Sequence, residues 1–103
     1  MKKTTILIAD DHSIVRMGLS ALLGYQPGFK VVGEAEDGEE AVAKVTELKP
    51  DIVIMDLVMP KLDGAEATRA IRDKCPDTKV LILTTFGTSA DVARAVSAGA
   101  SGA

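Results

Sequence analysis

The stretch DIVIMDLVMP, residues 51–60, sets four apolar residues in a row, Ile52-Val53-Ile54-Met55, and then ends the run on a carboxylate, Asp56. An apolar run of this length, without the alternation of a half-exposed strand, reads as a strand buried on both faces, as in a parallel sheet. TILIA (5–9) and VLILT (80–84) have the same character, whereas KVVGEA (30–35) is more polar and fits a sheet edge. A lone acid at the mouth of an apolar strand is costly to keep ionised unless something meets it. The fold must bring a partner to Asp56.

Helical spacing fills the gaps between these runs. Val15, Leu19 and Leu22 recur at i, i+4, i+7, and Ala41, Val45 and Leu48 repeat the pattern up to Lys49-Pro50, where a helix stops. Ala67, Ala70 and Ile71 mark a third helix closed by Cys75-Pro76. Val92, Ala95, Val96 and Gly99 mark a fourth, with Thr88 or Ser89 as its N-cap. The order βαβαβαβα calls for a parallel sheet covered by helices on both faces, a doubly wound α/β fold. With 103 residues, no repeat and no internal linker, the expectation is a single domain, 1–103.

Composition narrows the function classes. Hydrophobic residues make up 47% of the chain but aromatics only 3%, so Ile, Val, Leu and Ala must fill the core. A net charge of −3 argues against nucleic-acid binding by this chain itself. The single cysteine, Cys75, can make neither an internal disulfide nor a metal site alone, which fits a reducing cytoplasm. The apolar run behind Met1-Lys2-Lys3 is too short for the core of a signal peptide. No window approaches the roughly 18 apolar residues of a membrane span.

In a parallel sheet of this class, ligands bind beyond the C-terminal strand ends, where the strand order reverses. Asp10 and Asp11 follow the first strand, Asp56 ends the third, and Thr84 and Thr85 end the fourth. If strands one and three are neighbours, as in the order 2-1-3-4-5, three carboxylates meet in one crevice. They would repel one another unless a cation joined them. Oxygen donors without a His or Cys cluster select a hard divalent ion, and Mg²⁺ suits best because it leaves room for waters and phosphate oxygens. A carboxylate beside such an ion can attack phosphorus and become an aspartyl-phosphate, with the Thr84 hydroxyl in reach to report it.

ILIADDHSIVRMGLSALL, DIVIMDLVMPKLDGAEATRAIR and VLILTT followed by AVSAGASG together resemble bacterial response-regulator receiver domains, over essentially the whole chain. The DDH..VR.GL opening looks most like the nitrate-response and nodulation-regulator subfamily, whose full-length members carry a C-terminal LuxR-type helix-turn-helix. The resemblance implies a flavodoxin-like fold of strand order 2-1-3-4(-5). It implies that Asp56 takes a phosphoryl group from a phosphohistidine on a sensor histidine kinase, so that an attached output domain can control transcription. It implies that Asp10, Asp11, Asp56 and the backbone carbonyl of Val58 hold Mg²⁺, and that Thr84 is the switch hydroxyl. Met59, Pro60, Asp63 and Gly64 match the loop after the phosphoacceptor. The family pattern continues past GASG into a fifth strand ending in Lys and a fifth helix, which this sequence lacks. The expected consequence is an exposed apolar edge at VLILT that either destabilises the domain or pairs with a second copy by oligomerisation or swapping, and slower phosphotransfer for want of the Lys.

Plainer readings stand beside these. Asp10 or Asp11 could simply cap the first helix, Thr84 could be an ordinary β-branched strand residue, and Asp63 could serve a turn with Gly64. His12 reads as a solvated or capping residue rather than an acid–base group, and Cys75 as a small apolar one. Arg16, Arg69, Arg72 and Arg94 read as solvated helix residues. Two other functions compete: an interaction module that works without phosphorylation, and a Mg²⁺-dependent phosphohydrolase. Phosphohydrolases of the haloacid-dehalogenase type need a second Asp two residues past the nucleophile, and that position is Val58. No phosphate-binding glycine motif is present.

Overall fold

The computed structural model describes residues 3–57, 59, 61–83, 99 and 101. In chain order these give β1 (Thr4–Ala9), α1 (Ser13–Gly24), β2 (Phe29–Ala35), α2 (Gly38–Leu48), β3 (Ile52–Asp56), α3 (Gly64–Lys74) and β4 (Lys79–Leu83). The strands form one parallel sheet in the order β2-β1-β3-β4. The expected fourth helix lies outside the described residues.

The order reverses between β1 and β3, which opens a crevice at their C-terminal ends. Passing from β1 out to β2 and then back across to β3 and β4 by right-handed crossovers puts α1 on one face and α2 and α3 on the other. The two latter helices pack against each other. Register makes the core legible strand by strand. Leu7, Val53 and Val80 form one row and Ala9, Met55 and Ile82 the next, all buried beneath Ala41 and Val45 of α2 and Ala67 and Ile71 of α3.

The opposite face departs from the expectation of strands buried on both sides. Ile6 and Ile8 of β1 are buried, their neighbours Ile52 and Ile54 on β3 are half-buried, and Leu81 on β4 is 40% exposed. Among the described elements α1 packs chiefly against β1 and β2, and burial fades away from them. A local pattern of apolar residues cannot register where a helix comes to rest. The same placement corrects the reading of α1. Val15 and Leu19 are half-buried as expected, but Leu22 is 68% exposed and Leu23 faces inward in its stead. β2 is the half-buried edge strand anticipated, with a bulge opposite Ile6 and Leu7.

Helix ends follow their local chemistry. α2 stops where Lys49 turns left-handed before Pro50, and the N–H of Lys49 closes on Val45 O. α3 starts at a capping box: Asp63 accepts from the N–H of Glu66 at 2.9 Å, and the Glu66 carboxylate accepts from the N–H of Asp63 at 3.4 Å. Among the described residues no helix is long and apolar enough to cross a membrane.

Candidate functional site

Ala9 and Met55 are paired across β1 and β3, so the residues that follow them, Asp10 and Asp56, leave the sheet side by side. Both point away from the α2–α3 core, since successive side chains in a strand alternate. Asp10 is 1% exposed and Asp56 2% exposed. Asp11, next in the turn, is more open. Ligand atoms of Asp10, Asp11, His12 and Asp56 all lie within 4.8 Å of one another. The three acids named from the sequence therefore converge, and His12 joins them.

His12 is wired into the cluster rather than merely solvated. Its backbone N–H donates to Asp10 Oδ1 at 2.8 Å, and its ring Nδ1 lies 2.9 Å from that oxygen and 3.1 Å from Asp11 Oδ1. The hydrogen bond to Asp10 and then the charge of Asp11 raise the His12 pKa above its usual 6.5, against the opposing pull of desolvation. His12 is also the N-cap residue of α1, a position the sequence left open between His12 and Asp10 or Asp11; its side chain makes no capping bond.

The other oxygen of Asp10, Oδ2, is buried and accepts no hydrogen bond within the described residues. A buried carboxylate oxygen in that state costs free energy that a bound cation would remove. Oxygen donors from three carboxylates suit a hard divalent ion such as Mg²⁺, so the residues present fit the metal.

The floor of the site is set by a close approach. A Cβ added to Gly64 would stand 2.4 Å from the carbonyl oxygen of Asp56 and 2.7 Å from Leu57 Cα, so only glycine lets α3 begin against the end of β3. Its N–H donates to Leu57 O at 3.0 Å. Leu57 and Met59 are buried beside it. The Asp63–Gly64 pair expected to make a turn is thus the N-terminus of α3 fitted onto the acid-bearing strand.

One residue near the site was misjudged from sequence. Arg16 is 16% exposed, with Nη1 donating to the backbone carbonyl of Asp10 at 2.6 Å and Nε to Glu34 Oε1 at 3.2 Å. Helical side chains lean toward the N-terminus, and that rule would have aimed Arg16 at the Asp10-Asp11 turn. Arg72, also expected in solvent, donates to Pro76 O and Thr78 O. Cys75 is half-buried against the core, at the opposite end of the sheet. Thr84, Thr85, Arg94 and the carbonyl of Val58 fall outside the described residues.

Residues 6–103 match the response regulator receiver domain. The chain belongs to this family. Its parallel sheet of order 2-1-3-4 is that of a two-component receiver domain. The receiver chain is 49% identical over 94 residues to the response regulator protein VraR of Staphylococcus aureus, a match covering 91% of this chain and 45% of that protein. It therefore spans about half the length of the curated relatives it matches. A two-component response regulator of the LuxR family from Aurantimonas superposes with a TM-score of 0.90 at 44% identity, over 98% of this chain and 72% of its own. CheY in a CheX–CheY–BeF₃–Mg²⁺ complex from Borrelia burgdorferi gives a TM-score of 0.88 at 29% identity, over 97% and 75%.

Proposed function

We propose that Asp56 is a phosphoacceptor and that Asp10, Asp11 and Asp56 hold Mg²⁺ for the transfer. The convergence of those carboxylates within 4.8 Å carries the reading. The related CheY bound to BeF₃ and Mg²⁺ supports it by analogy.

A carboxylate oxygen of Asp56 attacks phosphorus in line with the bond to the donor. That P–N bond, for a phosphohistidine of a sensor histidine kinase, breaks as the new P–O bond forms, and the electron pair leaves with the imidazole nitrogen. The product is an acyl phosphate on Asp56. Bound Mg²⁺ offsets the repulsion between the acids and the phosphoryl oxygens. Asp10 and Asp11 place their oxygens around the cation position, Gly64 lets the end of β3 sit where Asp56 faces the crevice, and burial of Asp56 limits water at the reacting carboxylate. Following the family resemblance, Thr84 serves as the switch hydroxyl and the Val58 carbonyl as a further ligand. With Val58 in place of a second acid, hydrolysis has no proton donor from that position and the acyl phosphate persists. The chain thus catalyses only its own phosphorylation and dephosphorylation.

In the whole protein the phosphoryl state would be read by a DNA-binding output domain of the LuxR type, in the cytoplasm. Self-association is assigned to the outer edge of β4, which pairs only with β3 among the described strands and exposes Leu81. At one point that edge is already engaged, since Ser101 N–H donates to Val80 O at 2.8 Å.

Intact mass after incubation with Mg²⁺ and a small-molecule phosphodonor tests the function. Gain of one phosphoryl group, absent without Mg²⁺ and in Asp56→Asn, is expected. No gain in the unaltered chain would reject phosphoacceptance and leave an interaction module.

A further inference from the structure

We propose that Arg16 is a positioning residue for the metal site, acting through the peptide that joins Asp10 to Asp11. The proposal rests on the assignment of those acids to the cation.

The peptide unit between Asp10 and Asp11 is planar, so fixing its carbonyl fixes ψ of Asp10 and φ of Asp11 together. Arg16 Nη1 holds that carbonyl at 2.6 Å. On the other side of the same residue, the N–H of Asp10 donates to Ala35 O at the end of β2, at 3.0 Å. Asp10 is therefore clamped at both backbone polar groups, and the direction of both carboxylates is set before any ion arrives. The guanidinium is itself steered by Glu34, whose carboxylate accepts from Nε at 3.2 Å. Arg16 sits one turn into α1, and its N–H bonds to His12 O at 3.1 Å, so the clamp is anchored to the helix that follows the acids. Only a planar fork with separate donors can serve the carbonyl and Glu34 at once; a lysine ammonium on one flexible stem does so poorly. The arrangement puts a cation where it orients the acids through their backbone without neutralising the carboxylates that must take up the metal.

Groups that orient metal ligands typically govern affinity by about 10–100-fold. Calorimetric titration of the full chain with Mg²⁺, beside phosphorylation rates at graded Mg²⁺, tests the role. Arg16→Ala should weaken Mg²⁺ binding about 10-fold and raise the Mg²⁺ needed for half-maximal rate in parallel. The rate at saturating Mg²⁺ should stay near that of the unaltered chain. Arg16→Lys should fall between the two, and Glu34→Gln, whose amide oxygen still accepts from Nε and which leaves the Asp10 contact intact, should bind Mg²⁺ nearly normally even where its melting temperature drops. A purely structural role would instead make Mg²⁺ affinity follow melting temperature across all three variants, and that pattern overturns the proposal. So does unchanged Mg²⁺ affinity in Arg16→Ala or, where that variant does not fold, in Arg16→Lys. If the unaltered chain binds no Mg²⁺ and takes no phosphoryl group, the functional reading itself fails and this inference falls with it. Normal Mg²⁺ binding in every variant rejects the positioning role alone.

Discussion

At the scale of single residues, the acid cluster rests on charge and on who shares it. Asp10, Asp11 and Asp56 were legible because each ends or follows an apolar run, and a parallel sheet brings such ends together. His12 makes a testable statement about protonation. Its folded-state pKa is raised by the Asp10 hydrogen bond and the Asp11 charge. A raised value means that the folded chain holds this proton more tightly than the unfolded chain. The resulting stabilisation is complete below the ordinary value of 6.5 and is lost as pH climbs through the raised one. In metal-free protein the ring resonances of His12, followed by NMR against pH, should titrate above 6.5. A midpoint at or below that value would contradict the geometry. The contacts of His12 with the acids, and the role of Arg16, escaped the sequence reading for one reason. Both owe their roles to where a side chain reaches from the first turn of α1, and neither repeats with a period.

At the scale of elements, helix starts and strand ends decide the shape of the site. Asp63 caps α3, and Gly64 lies against the carbonyl of Asp56 with no room for a Cβ. Asp63→Ala should cost about 1 kcal/mol of stability through loss of the cap and leave phosphorylation largely intact. Gly64→Ala should cost roughly 1–3 kcal/mol, as overpacking does, and should also impair phosphorylation, because the backbone displaced is that of Asp56, the proposed phosphoacceptor. Denaturant melts run beside labelling separate the two effects, and equal labelling in both variants would refute the claim that Gly64 shapes the site. The strands and the ends of α2 and α3 could be read from Lys49-Pro50, Cys75-Pro76 and the apolar runs. The seat of α1 could not, because Val15, Leu19 and Leu22 define a stripe without saying which margin of it meets the sheet. Leu22 was consequently misassigned, as was full burial for β4.

At the scale of the whole molecule, the sheet order puts the acid cluster at one end and, among the described residues, leaves β4 at the edge with Leu81 exposed. If that edge associates with a second copy, sedimentation should show a concentration-dependent dimer, and Leu81→Lys should shift it toward monomer by charging the edge. A monomer at all concentrations would remove this proposal without touching the phosphoacceptor. Phosphoacceptance by Asp56 is tested by trapping the product. The chain is treated with Mg²⁺ and a phosphodonor, reduced with borohydride, which cleaves acyl phosphates to alcohols, and sequenced by tandem mass spectrometry. Homoserine is expected at position 56, with unaltered aspartate at positions 10 and 11. Homoserine at either of those positions, or at none of the three, would contradict phosphoacceptance by Asp56.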